Sequence, residues 1–211
     1  MKKNKKTTGI LAAILIVLVV IVAAIIIVFS VRGKKSTEST TETIDAAGKH
    51  HVEIQVKNYG TIKVELDGDT APITVANFLK LAQNGFYDGL TFHRIIDGFM
   101  IQGGDPKGNG TGGSDETIKG EFSGNGVENN ISHVRGTISM ARSQDMDSAS
   151  SQFFIVQSDC TYLDGQYAAF GTVTEGMDLV DKICKDTPVQ DNNGTVSAAD
   201  QPVIESIKVI D

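Results

Sequence analysis

Phe92-His93-Arg94-Ile95-Ile96-Asp97-Gly98-Phe99-Met100-Ile101-Gln102-Gly103-Gly104-Asp105 is the stretch on which the reading of this 211-residue chain turns. Segments 90–93 and 99–102 are short and apolar, the length and composition of strands. Alternation along such a strand places Arg94 on the face of Phe92 and Ile96. An arginine among core residues needs a reason. A buried ion pair or a snorkelling stem would each supply one, and alternation alone leaves them open. His93 reads as a satisfied structural histidine rather than a base.

Outward from this stretch the pattern stays strand-like. Val52, Ile54 and Val56 alternate with polar residues, Asn58-Tyr59-Gly60 supplies a turn, and Ile62, Val64 and Leu66 alternate again, which describes a hairpin with one buried face. Further strands are expected at 137–141, 153–156, 168–173 and 203–210. Two helices interrupt them. Val75, Phe78, Leu79 and Ala82 fall at i, i+3, i+4 and i+7, with Thr74 as the expected cap and Gly85 as the stop. A shorter helix is expected over 177–184. Short strands with many turns suggest a closed barrel rather than a parallel sheet, and 22 Gly against 4 Pro suit such a fold.

Two more segments mix core and polar residues in the same way: Ser150-Ser151-Gln152-Phe153-Phe154-Ile155 and Tyr162-Leu163-Asp164-Gly165-Gln166-Tyr167-Ala168-Ala169-Phe170-Gly171. Taken in order with the first stretch, they resemble the cyclophilin family of peptidyl-prolyl cis-trans isomerases over essentially all of 50–211. The resemblance implies a mainly β fold, a closed eight-stranded antiparallel barrel capped by two helices with the site on its outer face, and no metal or cofactor. It implies that Arg94 is the catalytic arginine and that Gln102 hydrogen-bonds the substrate backbone. Phe99, Met100, Phe153 and Leu163 are implied to receive the proline ring, and Gln152, Ala141 and Arg142 to line the groove for the residues before it. Asn109-Gly110-Thr111-Gly112-Gly113 would border a second, shallower pocket. Three positions depart from the family pattern. Tyr162 stands where many members carry Trp, Tyr167 where the best-studied members carry His, and Arg142 where Asn is common. Tyr162 puts tight cyclosporin binding in doubt but not catalysis, Tyr167 implies a modest change in turnover, and Arg142 implies some shift in sequence preference.

Other chemistries fit poorly. Gly108-x-Gly110-x-x-Gly113 formally spells a dinucleotide fingerprint, but no apolar-faced helix follows it. Ser150 and Ser151 sit in no nucleophile elbow, and Asp145-Met146-Asp147 lacks the glycine and later glutamate of a calcium loop. Cys160 and Cys184 match no metal spacing and read as lone thiols before they read as a bridge.

Charge divides the chain. Net charge is −7, yet residues 1–35 carry seven Lys or Arg and no acid; of 19 basic residues, 12 are left against all 26 acids, a net of −14 for the remainder. A soluble part this acidic argues against a nucleic-acid partner. Segment 10–29 is 20 residues without a charge. At about 1.5 Å per residue a helix of that length crosses a hydrocarbon core of roughly 30 Å. It is longer than the apolar region of a signal peptide and is followed by no clean cleavage site. The expected organisation is a basic segment at 1–9, a transmembrane anchor helix at 10–29, a flexible polar linker at 30–49 and the isomerase domain at 50–211. Four lysines before the anchor, against three basic residues after it, favour an extracytoplasmic domain at the cell membrane by a small margin. The expected function is isomerisation of X-Pro bonds in exported proteins by a monomer whose partners are proline-containing segments. The alternative is a tethered module that binds such segments with little turnover.

Overall fold

The computed structural model describes residues 44–211. The expected segments 1–9 and 10–29, and most of 30–49, lie outside the described residues. Among the described residues no helix is long and apolar enough to cross a membrane.

The first hairpin joins β1 (Lys49–Val56) to β2 (Gly60–Asp67). It pairs Val52 with Val64 and Ile54 with Ile62, so the alternating apolar residues form one inner face. Its turn is tightened by Asn58, the one non-glycine described residue in the left-handed region (φ 66°). The chain continues through helix α1 (Pro72–Gln83), β3 (Phe92–Ile96), β4 (Met100–Gly103), β5 (Thr137–Met140), β6 (Phe153–Val156), β7 (Ala169–Glu175), helix α2 (Met177–Asp186) and β8 (Ile204–Val209). All ladders are antiparallel, in the order β3-β4-β6-β5-β7-β2-β1-β8.

The expected closed barrel is corrected by the two ends of that order. β3 and β8 form no ladder with each other; just before each, Thr91 and Val203 form an isolated bridge, with Phe92 N–H donating to the Pro202 carbonyl and Ile204 N–H to that of Leu90. Beyond that point another segment takes the free edge of β3. Ile95 N–H donates to Gly194 O, Val196 N–H donates to His93 O, and Arg94 bridges Thr195. Gly194 permits this approach: its φ is +79°, and a Cβ there would lie 2.2 Å from the Ile95 carbonyl oxygen. The connection from α2 to β8 therefore covers the edge, and the sheet is a half-barrel.

The expected cap of α1 is also corrected. Thr74 lies inside the first turn, and Ala71, at the N-cap, offers no side-chain oxygen. The distant Glu121, almost fully buried, accepts from Ile73 N–H (3.0 Å), Thr74 N–H (2.7 Å) and Thr74 Oγ1 (2.7 Å). A carboxylate there satisfies orphan donors and meets the positive end of the helix dipole. Gly85 follows the helix with φ 67°, as expected of a stop.

The main core fills the inner face. Val52, Ile54, Leu66, Ile138, Phe153 and Phe170 pack there with Val75, Phe78 and Leu79 of α1. A second, smaller apolar cluster lies on the outside, where Met100, Phe154, Val156 and Cys160 gather Phe99, Ala141, Leu163 and Tyr167. All four residues of β6 are consequently buried, alternately inward and outward. Cys160 and Cys184 are free and buried. Burial pushes their thiols up to about 11 and about 12, respectively.

Candidate active site

The outer cluster exists because β3 is irregular. The β3–β4 register shifts between Phe92 and Arg94. This bulge breaks strict alternation: Phe92 and Ile95 both enter the core, while Arg94 and Ile96 turn outward. The expectation that Arg94 shares a face with Phe92 is corrected on that ground, and Arg94 forms no ion pair with any described residue. Past the bulge the register aligns Arg94 with Gln102, Gln102 with Phe154, and Phe154 with Ser139. Four outward side chains thus form one row across β3, β4, β6 and β5.

Arg94 is held from several sides. Its Nε donates to the Asn193 carbonyl (2.8 Å) and its Nη1 to Gln102 Oε1 (3.3 Å), with Met100 Sδ at 3.9 Å. Nη2 donates to no described residue. Burial lowers its pKa from the ordinary 12.5, partly offset by Tyr167, Tyr162 and Asp191; the group remains a cation at physiological pH. Gln102 Nε2 donates to Gln152 Oε1 (2.9 Å), and Gln152 Nε2 donates to the Gly112 carbonyl (2.7 Å) and, more weakly, to that of Gly110 (3.3 Å). A chain of hydrogen bonds therefore runs from the 193 turn through Arg94 and the two glutamines to the glycine-rich loop.

Beside Arg94 lies a basin of about 240 Å³ lined by Phe99, Met100, Gln102, Ala141, Arg142, Phe154, Leu163 and Tyr167. Most of the residues expected from the sequence meet there. Gln152 instead lines a neighbouring basin of about 350 Å³ with Gly110, Thr111, Gly112 and Ser150. Tyr162, 65% exposed, stands at the rim with its ring 6.2 Å from that of Phe99.

Phe153 is a correction. It points into the core, fully buried, with its ring edge-on to Phe78 (5.4 Å), Tyr87 (5.6 Å) and Phe92 (6.1 Å). Phe154, one residue later, is the wall of the basin. The signal was present in the sequence: Gln152 and Phe154 are two apart and must share a face, so a groove that uses Gln152 excludes Phe153.

Two polar devices fix the basin's far wall. The Arg142 guanidinium lies 4.9 Å from the Tyr167 ring centre and 5.2 Å from that of Phe122, and donates to the carbonyls of Gln166 and Ser143. His133, fully buried and stacked on Phe154, places Nδ1 2.8 Å from Asp164 Oδ1 and Nε2 3.0 Å from Ser139 Oγ. Burial pushes its pKa down, with Asp164 opposing. Asp164 also accepts from Ser132 Oγ and His133 N–H, which ties the loop bearing Tyr162 and Leu163 to the sheet.

His93 departs from expectation. It is 4% exposed, yet neither ring nitrogen has a hydrogen-bond partner among the described residues. Among the described residues no group of three His, Cys, Asp or Glu is placed to hold a metal ion. Asp147, in the segment compared with a calcium loop, instead accepts from Gly120 N–H and Asn125 Nδ2.

The fold agrees with the comparisons to known proteins. Residues 51–209 match the family described as cyclophilin type peptidyl-prolyl cis-trans isomerase/CLD. The chain is similar to a probable peptidyl-prolyl cis-trans isomerase of Brucella suis, 41% identical over 179 residues, which covers 79% of this chain and 87% of the relative. It is also similar to peptidyl-prolyl cis-trans isomerase B of Bacillus subtilis, 51% identical over 118 residues, 56% of this chain and 79% of the relative. Among solved structures, a Cryptosporidium parvum cyclophilin type peptidyl-prolyl cis-trans isomerase superposes with a TM-score of 0.68 at 30% identity, covering 78% of this chain and 99% of its own. That protein has also been crystallised in the presence of the dipeptide Ala-Pro, in a structure that covers 76% of this chain and 99% of its own with a TM-score of 0.67 at 32% identity.

Proposed function

This chain belongs to the cyclophilin-type peptidyl-prolyl cis-trans isomerase family, and we propose that its outer basin accelerates rotation about X-Pro bonds by setting Arg94 against the nitrogen of a twisted amide. The peptide C–N bond resists rotation by about 18–20 kcal/mol because of its partial double-bond character. The two X-Pro isomers are close in energy and exchange over tens to hundreds of seconds. No bond need break, so the site must only fit the twisted amide better than either planar form.

Twisting localises a lone pair on the proline nitrogen. A cationic donor aimed at it gains strength only in that state. The observation that carries the reading is the pose of Arg94: Nε and Nη1 are tied to Asn193, Gln102 and Met100 at the lip of an apolar basin, while Nη2 is left for a substrate. Phe99, Met100, Phe154 and Leu163 grip the proline ring. Gln102, oriented by Gln152, holds the backbone on one side while the other turns. A preorganised charged donor supplies about two to three powers of ten, and the grip on ring and backbone supplies the rest. The test is exchange of a prolyl tetrapeptide by the full chain. Acceleration well above the uncatalysed rate supports the enzyme; binding without acceleration would leave only a proline-segment-binding module.

The substrates follow from the first segment of the chain. Segment 10–29 serves as an uncleaved single-pass anchor, and the isomerase domain works outside the cytoplasm on proline-containing segments of exported proteins. What supports this is 20 uncharged residues flanked by basic ones. Protease added to intact cells is expected to remove residues 50–211 while the chain fractionates with membranes; protection of the domain would reverse the orientation.

A further inference from the structure

A third basin, of about 600 Å³, lies on the other side of Arg94 from the apolar one. Arg94 and Gln102 line both, so it is continuous with the groove. Its character is different. Lys107, Asn109, Gln190 and Asn193 contribute charge and amides, and His93 forms part of its wall. None of its lining residues is an acid, in a domain that carries most of the chain's 26 acids.

Three carboxylates lie nearby and all are engaged, Asp200 by Ser197 Oγ. Asp105 accepts from the N–H groups of Lys107, Asn109 and Gly110, and Asp191 from Asn193 N–H, Thr195 N–H and Thr195 Oγ1. Lys107 forms no ion pair among the described residues. The His93 ring abuts the Gly108–Gly110 turn, where a Cβ on Gly110 would lie 3.8 Å from Nε2. A neutral imidazole carries one N–H, and burying it without an acceptor is unfavourable. The basin therefore offers an ammonium with no ion-pair partner among the described residues and several amides, while the His93 ring nitrogens in its wall are covered. That donor-rich lining suits an anionic acceptor.

We propose that this basin is a subsite for an acidic side chain of the polypeptide substrate, an Asp or Glu near the isomerising proline, held by Lys107 and the surrounding amides. The inference rests on the prolyl-isomerase reading of the Arg94 groove. It adds a preference for acidic segments that the apolar basin does not supply.

The test is kcat/KM of the full chain on paired prolyl peptides bearing Asp or Asn at each position from three before to three after the proline. The expected result is a roughly threefold to tenfold preference for Asp at one position, weakened by added salt. In Lys107→Ala that Asp-to-Asn ratio is expected to fall to about one. Because each ratio is taken within one protein, a loss of folded material cancels. Equal rates for Asp and Asn at every position would overturn the proposal, as would a preference that survives in Lys107→Ala. If no peptide of either series is turned over, the isomerase reading itself fails and takes the subsite with it.

Discussion

Adjacent phenylalanines on β6 give a sharp test, because alternation assigns them opposite faces and opposite consequences. Phe153 is fully buried and makes three edge-to-face contacts in the core. Truncating such a ring to Ala costs about 3–5 kcal/mol, a large share of the roughly 5–15 kcal/mol that holds a domain together. Phe154 is also mostly covered, but it borders an open basin and, among the described aromatic rings, touches only His133 and Tyr167. Its truncation should cost less stability and remove one of four apolar walls around the proline ring. At about 0.8 kcal/mol per buried CH₂, loss of two to four such contacts weakens transition-state binding by roughly 1.5–3 kcal/mol, about tenfold to a hundredfold in kcat/KM. Urea unfolding and peptide exchange, measured on the same samples at low temperature and normalised to folded protein, separate the two. Phe153→Ala should be the less stable variant and keep its activity per folded molecule within about threefold. Phe154→Ala should be the less active one. The reverse assignment would show that the outward face of β6 has been placed one residue out of register.

Three further outcomes follow from the same structure. Glu121→Ala strands the first-turn donors of α1 and should cost about 2–4 kcal/mol in urea unfolding, with Glu121→Gln recovering part through its remaining acceptor oxygen; no change would remove Glu121 as the cap. Arg142→Lys loses the guanidinium contacts with the Phe122 and Tyr167 rings and the forked bonds to Gln166, so exchange of the Gln166 amide, which donates to Leu163 O, should speed by about tenfold; unchanged exchange would deny the brace. Burial holds His133 and His93 below the ordinary 6.5, so the unfolded chain takes up protons first on acidification. Their contribution is full above pH 6.5 and is lost as pH falls through the folded values. His51, raised by Asp211, has the opposite sign, so the urea midpoint is best followed in His51→Gln. It should fall between pH 7.5 and 5.5, and a flat or rising midpoint would contradict the burial account.

The strands and the site were legible from the sequence to different depths. Alternation located β1, β2 and β6 well, because each has an uninterrupted apolar face. The same rule misplaced Arg94 relative to Phe92, since a bulge is a backbone irregularity that leaves no mark on apolar periodicity. The strand expected at 90–93 begins at Phe92 because residues 89–91 are drawn into bonds with the chain around β8. Glu121 as a helix cap and Asn193 as an acceptor for Arg94 were out of reach, since both act across long sequence separations. The half-barrel was hidden for a related reason: the 193–196 segment that occupies the edge of β3 carries turn residues and no strand pattern. Phe154 is different. Its pairing with Gln152 on one face was available from spacing alone.

The account stands most directly on Arg94. Arg94→Ala should fold with nearly the wild-type melting temperature, since its side chain is only partly buried and bonds mainly to a carbonyl and an amide. Its affinity for a prolyl peptide should change by less than about threefold, because the guanidinium acts on the twisted amide and not the planar one. Exchange of the bound peptide, measured by magnetisation transfer between cis and trans signals, should slow by about 10²–10³. A folded Arg94→Ala variant that exchanges its peptide at the wild-type rate would contradict the mechanism.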